Sequence, residues 1–289
     1  MESSIDVIIP TYDRPRCAEK LTASVAPFLG EQDRIVVVWQ GKQKPDIRES
    51  RAILLLYSSV PSLTRARNSG IRAGSSDIVI FLDDDVTVMP GLLQGHRAAY
   101  ADRTVGAVAG RIDDPVFDAR ETCPASFDET TGRLVQNFCV EKSQYTLSVM
   151  GANMSFRRKA LEEIGLFDEQ FRHNALWEEV DAAFRLRKAG WAIWYCSSAR
   201  VRHFRETSGG CRTGSRHTYL YNQFANTAYF GARHCQKKYR MLWFSYWKYR
   251  LEFESRTKAL WARHDPLLVL SGICGTMSGI LRFAMRGRP

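Results

Sequence analysis

The sequence predicts an α/β fold in which a mostly parallel sheet is covered by helices on both faces. The first observation is that strand-like apolar runs alternate with helix-like stretches through the first half of the 289 residues. The second is that proline, glycine and capping residues stand where one stretch gives way to the next. The predicted strands cover residues 5–9, 35–39, 53–57, 78–82 and 105–111.

Helix signals fill the gaps between these strands. Asp13 followed by Pro15 is typical of a cap and a first helical turn, and Gly74 is a typical stop for the helix that opens at Pro61. Helical periodicity returns after the fifth strand. The predicted helices cover residues 13–29, 61–73, 157–164 and 177–189.

The remaining segments depart from this alternation. Between residues 111 and 149, prolines, glycines and acids predict loops and a hairpin. Residues 206–215 are rich in glycine, serine and threonine and predict a mobile loop. An uncharged stretch over 266–281 is shorter than the ~20 residues of a membrane span. We therefore predict a main domain over 1–210 and a helical region over 211–289.

Charge and cysteine content limit the classes of partner and compartment. A formal net charge of +10 suits nucleic acid, an anionic membrane surface or a phosphorylated substrate. The basic residues are dispersed and no familiar nucleic-acid motif appears, so we expect no nucleic acid partner. The seven cysteines have neither disulfide-framework nor zinc-site spacing, and the N-terminal residues do not resemble a signal peptide. These features favour a reducing cytoplasm.

The strongest chemical signal is the acidic triplet Asp83-Asp84-Asp85, which follows the apolar run at 78–82 directly. Three adjacent carboxylates repel one another, and a buried strand rarely ends in them without a counter-charge. Open sheets of this class bind ligands beyond the carboxyl ends of their strands. We expect a divalent cation here, Mg²⁺ or Mn²⁺, which takes oxygen ligands and retains sites for phosphate oxygens.

Five motifs, in order along the chain, resemble those of family 2 glycosyltransferases with the GT-A fold. They are Val7–Arg14, Ala66–Ile71, Phe81–Asp85, Gly151–Arg157, and Trp177–Asp181 followed by Arg185. The resemblance covers about residues 5 to 205. It implies an inverting transfer of a sugar from a nucleoside diphosphate donor to a hydroxyl acceptor, which we expect to be a glycan or a lipid-linked molecule.

The resemblance also implies roles for individual residues. Asp83 and Asp85 match the ends of the DxD motif that holds the metal in such enzymes. His203 lies where many relatives supply another metal or phosphate contact, with a structural role as its alternative. Trp39, near a position where relatives often have a base-recognising Asp, either stacks on the base or belongs to the core. The residues assigned to the donor are Thr11, Asp13, Arg14, Trp39, Arg67, Asn68, Asp83, Asp84, Gly151, Asn153 and Arg212.

An acceptor hydroxyl loses a proton as it attacks, so the reaction needs a base. The resemblance places that base at Glu179, although relatives usually have Asp there, and leaves Glu178 and Asp181 as the other candidates. The alternative is a solvated helix start, with Asp181 paired to Arg185 at i+4 spacing.

The loop after His203 carries arginines with two interpretations. Arg205, Arg212 and Arg216 either close over the diphosphate and exclude water or are incidental residues of a flexible linker.

Two other functions compete with sugar transfer. The run from Asp83 to Thr87 also fits the DxDxT pattern of haloacid dehalogenase-like phosphatases, with Asp83 as nucleophile and Asp85 as acid/base. Those enzymes carry the motif on their first strand, whereas three strands precede it here. A basic module that binds nucleic acid or membrane is the second alternative. We favour a cytoplasmic transferase whose basic, aromatic C-terminal region either contacts the anionic inner face of the membrane or packs on the main domain as a cap.

Overall fold

The computed structural model describes residues 2–117, 122–128, 133–173, 175–206, 209–210, 215–234 and 266–285. Its backbone contacts form two compact units. The first comprises Met1–Ala125, Gln136–Glu169 and Glu178–Cys211, and the second comprises Ser126–Val135, Gln170–Trp177 and Arg212–Pro289. Part of the predicted loop at 206–215 and the aromatic, basic residues 239–250 lie outside the described residues.

The described residues form a nine-stranded sheet at the centre of the first unit. Its strands are β1 (Ile5–Tyr12), β2 (Arg34–Gln40), β3 (Ile53–Ser58), β4 (Ile78–Leu82), β5 (Val86–Val88), β6 (Val105–Asp113), β9 (Gln144–Tyr145), β10 (Asn153–Arg157) and β11 (Ala192–His203). They lie in the order β3-β2-β1-β4-β10-β6-β11-β5, and β9 pairs with β11. Strands β7 (Ala125–Asp128) and β8 (Arg133–Gln136) form a separate two-stranded sheet. The five strands predicted from apolar runs are confirmed.

Most of the sheet is parallel. β1 pairs in parallel with β2 and β4, β2 with β3, and β6 with β11, whereas β10 runs antiparallel between β4 and β6. β1 and β4 are central and buried on both faces, which explains their continuous apolar sequence. Their carboxyl ends therefore lie side by side, and the acidic triplet leaves β4 next to the loop that follows β1.

The described helices are α1 (Pro15–Val25), α2 (Leu63–Ala73), α3 (Leu92–Ala99), α4 (Arg158–Glu163), α5 (Glu178–Lys188), α6 (Arg216–His234) and α7 (Pro266–Met285). Four of them, α1, α2, α4 and α5, follow the predicted positions closely, α6 and α7 fall in the region predicted to be helical, and α3 was not predicted. Ser62 caps α2 by accepting a hydrogen bond from the backbone N–H of Arg65. The predicted cap at Asp13 is wrong, because Arg14 is the N-cap residue of α1.

Residue Asp13 instead turns the chain. Its φ of 51° lies in the left-handed region, and its Oδ1 accepts a hydrogen bond from the N–H of Lys42, 3.1 Å away. Gly41 leaves room for this carboxylate, since a Cβ there would lie 2.0 Å from Asp13 Oδ1. Asp13 thus joins the loops that follow β1 and β2.

The second unit contains the helices α6 and α7. Gly275 and Gly279 of α7 meet the backbone of α6 so closely that a Cβ on either would lie 2.2 and 2.1 Å from carbonyl oxygens of Tyr221 and Ala225. Among the described residues, no helix combines the length and the apolar character that crossing a bilayer requires.

Candidate active site

The three aspartates that follow β4 point to three different environments. Asp83 is 35% exposed, Asp85 is nearly buried, and Asp84 turns into the protein. Asp84 accepts hydrogen bonds from Thr11 Oγ1 (2.6 Å) and from Arg14 Nη1 (3.0 Å). Burial raises the pKa of Asp84 to about 6, against the opposing hydrogen bonds. Asp84 therefore fixes the loop after β1. Thr11 and Arg14, which were predicted to bind the donor substrate, form hydrogen bonds with Asp84.

Asp85 and His203 meet through strand pairing. β5 runs antiparallel to β11 with Val86 opposite His203, which brings His203 Nε2 within 3.1 Å of Asp85 Oδ1. Asp85 Oδ2 also accepts from the N–H of Glu206 at 3.0 Å. Burial alone would raise the pKa of Asp85, but the hydrogen bond and charge of His203 with the other donors lower it below its usual value. Asp85 is therefore held as a carboxylate.

Asp114, at the carboxyl end of β6, is a site residue that the sequence reasoning missed. Its Oδ2 lies 2.8 Å from His203 Nδ1, and Arg205 Nε donates to both of its oxygens at 2.9 and 2.7 Å. Burial opposes the charged imidazole, but the hydrogen bond and charge of Asp85 on Nε2, with Asp114 on Nδ1, raise the pKa of His203. Nε2 would become a ligand nitrogen only if a cation displaced its proton, and Asp114 would then keep the proton on Nδ1. The signal was available, because Asp113-Asp114 ends another strand at the same edge of the sheet.

Asp83, Asp85 and His203 converge on one point. One ligand atom from each lies within 4.8 Å of the others. Two carboxylates and an imidazole whose outer nitrogen is fixed by Asp114 form a donor set that fits a divalent cation. The three residues predicted as metal ligands are therefore the ones that the fold brings together.

Arg67 lies behind this group on α2. It is 1% exposed, forms an ion pair with the equally buried Glu178, and places Nη2 3.6 Å from Asp83 Oδ1. Its guanidinium carbon lies 5.8 Å from the ring centroid of Phe81. Gly151 allows this packing, since a Cβ there would lie 2.4 Å from Arg67 Nη2. The buried pair of Arg67 and Glu178 therefore packs against Asp83 on the protein side of the site.

The two candidate bases that remain are separated by their surroundings. Glu179 is partly exposed, and burial raises its pKa, with Asp83 adding to the rise and Arg67 opposing it. Asp181 is fully buried, and Arg185 donates to its Oδ2 through Nε at 2.8 Å. The predicted i+4 pair of Asp181 with Arg185 is therefore present. Glu179, in contrast, lies close enough to Asp83 for the charge of that carboxylate to raise its pKa.

Other predicted donor residues have partners within the fold. Asn68 bonds both the N–H and the C=O of Phe167, and its Nδ2 also donates to Glu169. Asn153 Nδ2 donates to the carbonyls of Arg111 and Ala199, and its Oδ1 lies 2.8 Å from His96 Nε2. The rings of Trp39 and Tyr57 lie with centroids 4.5 Å apart at the ends of β2 and β3.

The backbone after β11 is tied to the triplet by Arg14. Arg14 Nη2 donates to the carbonyls of Glu206 (2.6 Å) and Gly209 (3.3 Å), while Nη1 contacts Asp85 at 3.3 Å. Gly209 has a φ of 65°, and a Cβ there would approach Arg14 Cγ to 2.8 Å. The predicted donor residue Arg212 lies outside the described residues.

Comparison with known sequences identifies relatives of one kind. The family model described as "Glycosyltransferase like family 2" matches residues 3–218. A pre-mycofactocin glycosyltransferase of Mycobacterium tuberculosis is 35% identical over 212 residues, which are 70% of this chain and 43% of that protein. The O-antigen chain rhamnosyltransferase WbaN of Salmonella anatum is 32% identical over 69% of this chain and 66% of that protein. The chain spans less than half the length of the mycobacterial relative.

Solved structures show the same fold at low sequence identity. GalNAc-T7, solved with UDP, GalNAc and Mn²⁺, has a TM-score of 0.64 at 14% identity, over 82% of this chain and 50% of that one. The mannosyltransferase PcManGT of Pyrobaculum calidifontis, solved with GDP-Man and Mn²⁺, has a TM-score of 0.57 at 14% identity. That comparison covers 100% of this chain and 89% of the mannosyltransferase. The predicted GT-A fold is confirmed, and neither the phosphatase nor the binding-module alternative finds support.

Proposed function

Because the chain belongs to the glycosyltransferase-like family 2, we propose that it transfers a sugar from a nucleoside diphosphate donor to a hydroxyl acceptor, with inversion and with the help of a divalent metal. The observation that carries this proposal is the convergence of Asp83, Asp85 and His203 beside Glu179, beyond the carboxyl ends of the parallel strands. These groups supply the two requirements of the reaction, a site for the leaving diphosphate and a base for the acceptor.

Asp83, Asp85 and His203 would hold the metal, either Mg²⁺ or Mn²⁺. When bound, such an ion supplies Lewis acidity that neutralises the departing diphosphate. Neighbouring groups fix the positions of two of these three residues. Asp114 orients His203, and Arg14 together with the N–H of Glu206 orients Asp85. Two solved neighbours, GalNAc-T7 and PcManGT, carry Mn²⁺ with a nucleotide or nucleotide sugar, which supports a metal of this class.

Glu179 acts as the base that removes the proton of the acceptor hydroxyl. Its raised pKa brings its basicity closer to neutral pH, where a general base works best. Glu178 is the poorer candidate because its carboxylate is buried against Arg67. A single displacement on the face opposite the diphosphate inverts the anomeric carbon.

The donor lies across the carboxyl ends of β1, β2 and β4. We assign the nucleoside to the ends of β1 and β2, near Asp13 and Trp39, and the diphosphate to the partly exposed side of Asp83. Thr11 and Arg14 act on this site through Asp84, by fixing the loops on which the donor rests. The role of Arg212 stays a prediction.

The acceptor side is a cleft of about 440 Å³ that shares His203 with the metal site. Phe117 and Phe204 provide apolar rings. Charged groups of both signs line the cleft as well: Arg111, Arg202, Asp113 and Asp114. This lining suits a glycan or a lipid-linked sugar, and two of the relatives are named O-antigen chain rhamnosyltransferases. We propose that the enzyme works in the cytoplasm at an anionic membrane surface.

A donor screen tests the proposal. Thermal shifts are recorded with UDP-, GDP- and dTDP-sugars, with and without Mn²⁺, since a ligand that binds only the folded state raises its stability. We expect sugars of one nucleotide class to stabilise the protein in a Mn²⁺-dependent manner. With a cell extract that contains acceptor molecules, the protein should release the nucleoside diphosphate from that donor. The product should carry the inverted anomeric configuration. Stabilisation by none of these donors, or retention of configuration, would contradict the proposal.

A further inference from the structure

The outer face of α7 is apolar along its whole described length. Leu270, Ile273, Met277, Leu281 and Met285 are between 46% and 77% exposed and recur at spacings of three and four residues. The other exposed residues that the structure describes on this helix are uncharged as well: Leu267, Cys274, Ile280 and Ala284. A helix that faces water normally presents charged and polar side chains on this side.

The inner face of α7 is made of small residues and of Arg282, which is buried and donates hydrogen bonds to the carbonyl of Gln170 and to Asn226. Gly272, Gly275, Thr276 and Gly279 are buried, and the two glycines that approach α6 most closely leave no space for a Cβ. The helix therefore turns its small residues towards α6 and its large apolar residues outwards. This arrangement reverses the usual pattern of a water-soluble helix and is typical of one whose surroundings are apolar.

The positive charge of the chain is concentrated in the same part of the sequence. Residues 216–289 contain 13 Lys and Arg against three Asp and Glu, whereas residues 1–215 contain 28 of each kind. The whole excess of +10 thus belongs to the segment that includes α6 and α7. An exposed apolar helix face within a segment of net positive charge matches the surface of a bilayer that carries anionic lipids.

We propose that α7 lies on the surface of an anionic membrane, with its outer face among the acyl chains. The proposal deepens the membrane contact of the proposed function, and rests on it for its biological purpose, which is to hold the enzyme next to a lipid-linked acceptor. Its physical basis is separate from the transfer chemistry, because it uses the helix face and the charge distribution alone.

Flotation of the full chain with vesicles tests the proposal. The vesicles contain phosphatidylcholine with about one third phosphatidylglycerol, and pure phosphatidylcholine vesicles show the part played by charge. The variant Leu270→Gln/Leu281→Gln removes two outer apolar side chains and keeps good helix formers at exposed positions. The matched control Phe28→Gln/Val60→Gln removes two exposed apolar side chains from the first unit. We expect the α7 variant to bind anionic vesicles at least about tenfold more weakly than the wild type.

The control should float like the wild type, and rising salt should weaken binding of both. Failure of the wild type to float, or equal flotation of the α7 variant, would overturn the proposal. A wild-type dimer in analytical ultracentrifugation that the α7 variant dissociates would overturn it too, because the face would then bind a second copy. Donor binding is measured in the same preparations without vesicles. A wild type that floats with the vesicles but binds no donor would count against the proposed function alone.

Discussion

Replacing Glu178 by Gln should destabilise the protein, whereas the same change at Glu179 should leave it folded and inactive. The two acids are adjacent, but their environments differ. Glu178 is 1% exposed and pairs with Arg67, which is also 1% exposed. Glu179 is partly exposed, and burial raises its pKa, so the fold already penalises its charged form. A neutral amide at 179 removes that penalty.

The size of the effect at Glu178 follows from the buried cation left behind. Breaking a buried ion pair by removing one partner costs about 3–5 kcal/mol. Asp83 remains 3.6 Å from the guanidinium of Arg67 and is 35% exposed, so it compensates in part. We therefore expect a loss of about 3 kcal/mol, which is about 1 M in the urea midpoint for an m-value of about 3 kcal/mol/M.

Urea unfolding followed by tryptophan fluorescence measures the first effect, and release of nucleoside diphosphate measures turnover. Glu162→Gln, at an exposed acid of α4, is the matched control and should change neither quantity. Glu179→Gln should bind the donor normally and lose turnover. Full turnover in Glu179→Gln, together with an unchanged urea midpoint in Glu178→Gln, would refute the assignment of base and support.

Three further predictions concern the surroundings of the site. Asp114→Asn should weaken Mn²⁺ binding about 10- to 100-fold in an EPR titration, because it weakens the orientation of His203. Gly151→Ala should lower the unfolding free energy by about 2 kcal/mol in urea, since its Cβ would displace Arg67. Burial lowers the pKa of His96 to about 4, below its unfolded value of about 6.5. Its contribution to stability is therefore present above pH 6.5 and falls by about 3 kcal/mol towards pH 4, and His96→Gln should flatten the pH profile of unfolding.

The central strands were predictable because their sequence carries a strong local signal. β1 and β4 are buried on both faces, so they read as apolar runs that end in polar residues. β10 and β11 were not predicted as strands. β11 contains serine and arginine residues and has register irregularities between Cys196 and Arg200, so its apolar pattern is interrupted.

The grouping of Asp83, Asp85 and His203 was predictable because the DxD motif and His203 match a family pattern, and their role as metal ligands stays a prediction. The different contacts of Asp83, Asp84 and Asp85 could not be predicted, because the partners of each aspartate come from distant parts of the chain. Thr11 lies 73 positions from Asp84, and Asp114 lies 89 positions from His203. Only the strand order brings these residues together, so local sequence carries little information about which of them bind ligand and which bind one another.

Titration of Mn²⁺ into the wild type and two isosteric variants, in the presence of the nucleoside diphosphate chosen by the donor screen, tests the central claim most directly. Asp85 faces His203 at 3.1 Å, whereas Asp84 is turned towards Thr11 and Arg14. Calorimetry should therefore find one Mn²⁺ site in the wild type, nearly unchanged binding in Asp84→Asn and loss of binding in Asp85→Asn. Binding that survives in Asp85→Asn, or that disappears in Asp84→Asn, would contradict a cation held by Asp83, Asp85 and His203.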